Sequence, residues 1–218
     1  MTSLSTFDLD AWLAALTATE QPPPIVQAGA VVLRQRAFDV PRELFGSPAL
    51  LRLVDLMVDV MRTAPGVGLA APQIGVPLRI FVAEDAAERL ARVAPESLAA
   101  RGRAPLPLMA FVNPTVTLGT PAGREPAVFF EGCLSVRGYG ALVPRAATVR
   151  VTAVDPRGAP IALDMHGWPA RIMQHEMDHL DGTLYVDRML SRSLAGDAAL
   201  GELSGLPVSD VIKALVDP

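Results

Sequence analysis

Cysteine, lysine and long apolar runs are scarce in this sequence. Cys133 is the only cysteine among 218 residues, so an internal disulfide is excluded and the fold does not depend on an oxidising compartment. No uninterrupted apolar run approaches the roughly 20 residues that span a bilayer. Lys213 is the only lysine and the formal net charge is −4, which argues against the concentrated positive surface of a direct nucleic-acid binder.

The remaining composition is that of a globular protein with one main domain. Half of the residues are hydrophobic and 19% are charged, and a chain of this length can bury a full core. The first residues lack a basic segment and carry Asp8 and Asp10 among apolar residues. This pattern argues against a secretory signal and against an arginine-rich transit peptide. We therefore expect a cytoplasmic protein that makes no membrane contact.

Proline, glycine and local composition divide the chain into three parts. We expect an N-terminal extension, a central domain and a C-terminal tail, at residues 1–28, 29–192 and 193–218. A short amphipathic helix is predicted within residues 6–18. Residues 85–105 are rich in alanine and arginine, and we interpret them as an insertion that is partly helical. A last helix is predicted at Ser209–Val216, with Ser209 as its cap.

Apolar periodicity predicts two longer helices. The first follows Ser47 as N-cap and covers Ala49–Met61, with an apolar stripe of Leu50, Leu53, Val54, Met57, Val58 and Met61. The second covers Trp168–Leu180 and ends at Asp181-Gly182. Short β-rich runs predict strands at Leu78–Ala83, Met109–Val112, Val116–Leu118, Val128–Phe130, Thr148–Val154 and Ile161–Met165. Because these elements lack regular βαβ alternation, they indicate an α+β fold with mainly antiparallel sheet.

The strongest local signal is the stretch Gln174–Leu180, which reads QHEMDHL. On a helix, positions i and i+4 share a face, so His175 and His179 can direct two imidazoles at one metal ion with Glu176 beside it. A bound divalent cation lowers the pKa of its water to about 7, and a neighbouring carboxylate can then shuttle the proton. The alternative is a helix with two ordinary histidines, since HExxH also occurs by chance.

A third metal ligand is predicted at Cys133, in the segment Glu131–Ser135 (EGCLS). Of the three histidines in the chain, only His166 lacks a ligand partner at helical spacing. One thiolate and two imidazoles leave the fourth tetrahedral position open, which is the pattern of a catalytic site. The alternative is a buried free cysteine, because such a residue packs well in a core.

A third segment, Gly66–Gly75, reads GVGLAAPQIG. It follows a predicted helix, which is the wrong context for a dinucleotide-binding loop. Its small residues permit an extended peptide to approach the backbone closely. Gln73 could offer an amide donor to an oxyanion; the alternative is a tight connection with a solvent-exposed glutamine.

Together, these segments resemble the three motifs of the peptide deformylase family: GVGLAAPQ (66–73), EGCLS (131–135) and QHEMDHL (174–180), in this order. The resemblance implies an enzyme that removes the N-formyl group from the starting methionine of new polypeptides and releases formate. It makes residues 29–192 the catalytic domain. The expected α+β fold has mainly antiparallel β-sheets packed around a central metal-binding helix, with additional N- and C-terminal helices.

The resemblance also implies residue roles. One divalent metal ion per chain would be held by Cys133, His175 and His179, with Fe²⁺ as the physiological ion and Zn²⁺, Ni²⁺ or Co²⁺ as substitutes. Glu176 would act as general base and then general acid, and the Gln73 amide and the Leu134 N–H would donate to the oxyanion. Substrate binding is implied for Val67, Gly68, Phe129 and Trp168.

Some positions depart from the family pattern. Arg137 stands where the family usually has proline, and Gly140 where many members have an arginine that contacts the substrate, so binding of extended peptides is in question. Glu131 and Arg145, by contrast, match a pair that braces the cysteine segment in the family.

A transient ribosome contact through a basic C-terminal helix has little support in the sequence, because residues 209–218 contain only Lys213 as a cation.

Two rival functions remain open on the sequence. An HExxH metalloprotease normally takes a third ligand from a downstream glutamate or histidine, but Glu202 is the only glutamate after Glu176 and no histidine follows His179. A catalytically idle metal-binding or ribosome-associated descendant of a deformylase is the other rival. The presence of Glu176 and Gln73 argues against it.

Overall fold

The computed structural model describes residues 9–17, 22–119 and 126–217. Its strands are β1 (Gly68–Ala70), β2 (Ile80–Asp85), β3 (Leu106–Gly119), β4 (Ala127–Cys133), β5 (Val136–Arg145), β6 (Thr148–Val154), β7 (Pro160–His166) and β8 (Ala195–Gly196). Its α-helices are α1 (Leu9–Thr17), α2 (Pro48–Thr63), α3 (Ala87–Leu90), α4 (Pro95–Arg101), α5 (Gly167–Leu180), α6 (Asp197–Leu203) and α7 (Val208–Val211). None of the helices in these ranges is long and apolar enough to cross a membrane.

The strands form two antiparallel sheets. The larger sheet has the order β1-β2-β3-β6-β7, and the smaller sheet has the order β4-β5-β8. A two-residue turn, Leu134-Ser135, joins β4 to β5 and leaves Cys133 at the end of β4. Since β1 pairs only with β2 among the described strands, it is an edge of the larger sheet.

Alternation along β2 explains how the larger sheet receives a helix on each face. Ile80 and Val82 pack into the core that contains α2, whereas Phe81 and Ala83 pack into the core that contains α5. Strand β2 is therefore buried on both faces, with α2 on one side and α5 on the other. The predicted α+β class, with antiparallel sheets packed around this helix, is confirmed.

The two predicted long helices are confirmed. The Ser47 side chain accepts a hydrogen bond from the Leu50 N–H and caps α2. All six residues of the predicted stripe are buried: Leu50, Leu53, Val54, Met57, Val58 and Met61. Helix α5 ends before Asp181-Gly182, and Gly182 adopts a φ of 73°, a left-handed conformation that favours glycine at a helix end.

The predicted strands Met109–Val112 and Val116–Leu118 are two parts of the single strand β3. Asn113 separates them with a φ of 51°, and the pairing register of β3 shifts between Val112 and Thr115. The Asn113 side chain accepts from the Val40 N–H and donates to the Val40 carbonyl. This bulge in the middle of β3 explains why the sequence pattern predicted two short strands instead of one.

The predicted terminal helices are correct in position but not in detail. Helix α1 covers Leu9–Thr17, while residues 6–8 and 18 of the prediction lie outside the described ranges. Leu9 and Leu13 are buried in the core beside α2. The predicted cap Ser209 is wrong, because α7 begins at Val208 after Pro207 and has no side-chain cap.

Candidate metal centre and adjoining cleft

The structure brings the three predicted metal ligands together. The ligand atoms of Cys133, His175 and His179 all lie within 4.8 Å of one another. The sulfur of Cys133 is 3.2 Å from His179 Nε2. Two histidines come from one face of α5, and the cysteine comes from the end of β4. One thiolate and two imidazoles form a donor set that suits a divalent transition metal.

Hydrogen bonding fixes which nitrogen of His175 faces the cysteine. Nδ1 lies 3.0 Å from Glu131 Oε2, and because an ionised carboxylate only accepts, Nδ1 must donate. The other nitrogen, Nε2, is left for a ligand, which is the usual arrangement of a metal-binding histidine. The Tyr185 ring stacks on the His175 ring at 6.3 Å between centroids and helps to hold its plane.

The two histidines have opposite pKa shifts. Burial would lower the pKa of His175, but its hydrogen bonds with Cys133 and Glu131 raise it well above its usual value. Burial and repulsion by His175 lower the pKa of His179 well below its usual value. Metal ligation needs both rings neutral, so metal binding at this site depends on pH.

Glu131 is the centre of a buried ion network behind His175. Arg145 donates two hydrogen bonds to its carboxylate at 3.0 Å each, and Arg171 donates one at 2.6 Å. Burial would raise the pKa of Glu131, but hydrogen bonds from His175 and Arg145 hold it well below its usual range. Asp178 extends the network, because it accepts from Arg145 at 2.5 Å. The predicted brace between Glu131 and Arg145 is therefore present.

Glu176 lies against the backbone of Gly68. A Cβ on Gly68 would stand 2.6 Å from Cδ of Glu176, so only glycine leaves room for this carboxylate. Glu176 is buried, and its Oε2 has no hydrogen-bond partner among the described residues. Burial raises the pKa of Glu176 to about 7. A free acceptor with this pKa can both gain and lose a proton near neutral pH.

The Gln73 amide points its nitrogen at the cysteine. Its Oε1 accepts from the Ala70 N–H at 2.8 Å, which fixes the orientation of the amide. Its Nε2 lies 3.2 Å from Ser135 Oγ and 3.7 Å from Cys133 Sγ. The alternative of a solvent-exposed glutamine is wrong, since Gln73 is buried, and its amide nitrogen faces Cys133.

A cleft of about 450 Å³ opens beside these groups. Three of the four predicted substrate-binding residues line it, namely Val67, Gly68 and Trp168, and so does Leu134. Phe129 does not line this cleft: it borders a separate cavity and packs edge-on against Trp168 at 6.4 Å. Its neighbour Phe130 lines the cleft instead, because successive side chains of β4 point to opposite faces.

The tail beyond residue 194 reaches the cleft, and its packing explains why position 140 has no side chain. Strand β8 pairs with β5 at Gly140, and Leu200 of α6 covers that residue. A Cβ on Gly140 would stand 2.8 Å from the Glu131 carbonyl and 3.0 Å from Leu200. The space of a longer side chain is thus filled by α6. Asp197 lines the cleft, and Arg137 is exposed.

Sequence reasoning missed several residues that support the site. Arg171 and Tyr185 hold Glu131 and His175, and nothing in their local pattern distinguishes them from other core residues. The segment before residue 29 was also underestimated. Val26 N–H donates to the Gln73 carbonyl, and Ala28 N–H donates to the Ser135 carbonyl. This segment therefore joins two of the motif regions, although the domain boundary at residue 28 stays a prediction.

Known proteins resemble this chain over most of its length. A family model described as "Polypeptide deformylase" matches residues 22–194. Peptide deformylase 1 of Streptomyces coelicolor is 50% identical over 193 residues, 88% of this chain and 84% of that protein. The human mitochondrial peptide deformylase is 41% identical over 79% of this chain and 71% of that protein. The chain spans 61% of the tomato chloroplast peptide deformylase 1A, to which it is 48% identical over 78% of its own length.

Solved structures share the fold. A peptide deformylase of Acinetobacter baumannii with bound Met-Ala-Ser has a TM-score of 0.67 and 30% identity, with 78% of this chain and 99% of that chain covered. A peptide deformylase from Legionella pneumophila has a TM-score of 0.61 and 34% identity, with 78% and 86% covered.

Proposed function

Given that this chain belongs to the polypeptide deformylase family, we propose that Cys133, His175 and His179 hold the metal ion on which the family's hydrolysis depends. The enzyme removes the N-formyl group from the N-terminal formyl-methionine of newly synthesised polypeptides and releases formate. The observation that carries the residue assignment is the convergence of one sulfur and two imidazoles within 4.8 Å. A divalent cation there supplies Lewis acidity and lowers the pKa of a bound water.

The proposed ion is one Fe²⁺ per chain, with Zn²⁺, Ni²⁺ or Co²⁺ as substitutes. Thiolate and imidazole ligands suit all four ions, so the preference for iron comes from the family resemblance. Glu131 supports the site from behind by accepting from His175 Nδ1. Such support orients the imidazole and increases its basicity as a ligand.

We propose Glu176 as the residue that moves the proton. Its carboxylate would accept a proton from the attacking water and deliver it to the departing amine of methionine. Its burial, its unpartnered Oε2 and a pKa raised to about 7 support this role. The contact with Gly68 fixes where the carboxylate stands relative to β1.

The formyl oxygen is proposed to receive hydrogen bonds from Gln73 Nε2 and the backbone N–H of Leu134. The Gln73 amide is held in place at its oxygen by Ala70, so its donor is positioned before substrate arrives. Leu134 lies in the two-residue turn beside Cys133. Preorganised donors of this kind stabilise developing negative charge, and losing one typically costs about 10²–10³ in rate.

The methionine side chain and the peptide backbone are proposed to bind in the 450 Å³ cleft. Strand β1 is an edge of the larger sheet, so an extended peptide can pair with Gly68 by adding as a further strand. Val67 and Trp168 offer apolar surface for methionine. We propose Phe130 for this wall in place of Phe129, whose side chain borders another cavity.

The test is formate release from formyl-methionyl peptides by the wild type and Glu176→Gln. We expect activity in the wild type and a loss of about 10²–10⁴ in kcat/KM in the variant, with metal content retained. Cleavage of unformylated internal peptide bonds would favour the metalloprotease. Metal binding without formate release in the wild type would favour the idle descendant.

A cytoplasmic location and a transient ribosome contact stay proposals. Relatives include chloroplast and mitochondrial proteins. The described end of the tail carries Lys213 and Asp217, which gives little positive charge for a phosphate surface.

A further inference from the structure

The segment between β2 and β3 is docked against the start of the metal-binding helix. The backbone N–H of Trp168, in the first turn of α5, donates to the Gly102 carbonyl at 3.3 Å. Arg103 donates to both oxygens of the buried Asp85 at 2.7 and 3.0 Å. This segment, interpreted from sequence as an insertion, therefore forms one wall of the site.

Three arginines surround the indole of Trp168. The guanidinium carbons of Arg101, Arg103 and Arg171 lie 5.1, 5.6 and 5.8 Å from the Trp168 ring. All four residues line the cleft. An aromatic face attracts cations, but the three guanidinium groups repel one another. Nearby anions would therefore stabilise the cluster.

Two of the three cations have a carboxylate partner. Arg103 is paired with Asp85 at 2.7 Å, and Arg171 is paired with Glu131 at 2.6 Å. Arg101 forms no ion pair and no side-chain hydrogen bond among the residues that the structure describes. The cluster therefore contains one uncompensated positive charge.

The positive charge of Arg101 lies in a partly buried position, where a bound anion would stabilise it. Arg101 is only partly exposed, and burial together with repulsion by Arg103 lowers its pKa. Charged groups withdrawn from water are normally paired. Arg89, another arginine of the cleft wall, already donates to the carbonyls of Pro65 and Gly66. Arg101 is thus the described cleft arginine that is free to receive a ligand.

We propose that Arg101 binds a carboxylate in the cleft, and that it favours acidic peptides where this carboxylate is a side chain after the formyl-methionine. This inference rests on the proposed function, since it treats the cleft as the peptide site. A carboxylate could come from the peptide side chain or from the released formate. A planar guanidinium can bind either with paired hydrogen bonds.

The experiment compares amide-capped formyl-Met-Glu and formyl-Met-Gln peptides, which differ only in charge. We expect the wild type to show a kcat/KM about fivefold higher for the Glu peptide, as a partly exposed ion pair typically gives, and Arg101→Gln to lose that ratio. Arg101→Lys should keep part of it, because the charge remains. If formate is the ligand, Arg101→Gln should instead raise the inhibition constant of formate about fivefold.

The control is Arg92→Gln, which removes an exposed arginine of the same segment that does not line the cleft. Equal losses in Arg92→Gln and Arg101→Gln would overturn the proposal, and so would unchanged ratios and unchanged formate inhibition in Arg101→Gln. Titration of the protein with the deformylated peptides Met-Glu-amide and Met-Gln-amide measures their dissociation constants and gives the same comparison without turnover. Failure of the proposed function would appear as absent formate release, whereas failure of this inference would appear as equal binding of both peptides.

Discussion

The contact between Gly68 and Glu176 joins the strand proposed to bind the peptide to the residue proposed to move the proton. A side chain added at position 68 would displace Glu176, because the Glu176 carboxylate fills the space that Gly68 leaves. The sequence predicted both residues but not their contact, since they are separated by more than 100 positions. On the proposed roles, this contact sets where the proton would be exchanged relative to the bound peptide.

Replacing Gly68 by alanine should lower the activity of the enzyme by displacing the Glu176 carboxylate. The new Cβ would stand 2.6 Å from Glu176 Cδ, so the carboxylate must move. We expect formate release to fall about 10²-fold, because a shift of about 1 Å in a reacting group has this effect. Gly201→Ala is the control, since no atom lies within 4 Å of its added Cβ. Near-normal activity with intact metal content would contradict the positioning argument.

Glu131 is predicted to contribute to stability as well as to metal binding. Glu131→Gln removes the negative charge shared by Arg145 and Arg171 inside the protein. Breaking a buried ion pair typically costs about 3–5 kcal/mol in the free energy of unfolding. Chemical denaturation should show this loss, whereas Glu84→Gln, which breaks a solvent-exposed pair with Arg62, should cost much less. Similar losses in the two variants would contradict the buried network.

At the residue scale, the candidate metal ligands were easier to predict than the residues that hold them in place. Cys133 and the two histidines of α5 were predictable because metal ligands come from few residue types at restricted spacings. Arg171 was not, because its role depends on a carboxylate 40 positions away. Phe130 lines the cleft and Phe129 does not, a distinction that depends on the register of the strand.

At the scale of elements, helices α2 and α5 were predictable because each carries a long apolar stripe with clear end signals. Strand β5 was missed, since its first half contains Gly138 and Gly140, residues with low preference for strands. The packing of α6 on β5 had no sequence signal either. It follows from the fold, because β8 brings the tail to the edge of the smaller sheet.

This packing makes Gly140 a test of the tail's contribution. Gly140→Ala would place Cβ 3.0 Å from Leu200 and 2.8 Å from the Glu131 carbonyl. We expect a loss of about 1–3 kcal/mol in unfolding free energy, the usual effect of overpacking. Gly201→Ala, within α6, should be neutral or stabilising by up to about 1 kcal/mol. An unchanged unfolding midpoint in Gly140→Ala would show that α6 does not pack on β5.

At the scale of the whole molecule, the proposed metal ligands come from both sheet regions of the fold. Cys133 ends a strand of the smaller sheet, and the histidines lie on the helix that packs against the larger sheet. A bound ion therefore links parts of the fold that are otherwise joined by packing and by the Glu131 network. We therefore expect metal bound at these three side chains to affect global stability.

Metal removal should destabilise the whole protein. A ligand present at about 100 times its Kd stabilises the folded state by about 2.7 kcal/mol. For a chain of this size we expect chelation to lower Tm by about 5–10 °C in a calorimetric scan. In Cys133→Ser, which weakens the site, added chelator should cause a smaller shift. An identical Tm before and after complete metal removal would contradict the proposed link.

The central claim is a coordination sphere of one sulfur and two imidazole nitrogens, and X-ray absorption at the metal edge tests it most directly. For the zinc-loaded protein we predict one sulfur at about 2.3 Å and two imidazole nitrogens at about 2.0–2.1 Å. The sulfur contribution should disappear in Cys133→Ser. A spectrum of wild-type protein without sulfur in the coordination sphere, or one unchanged by Cys133→Ser, would contradict the account.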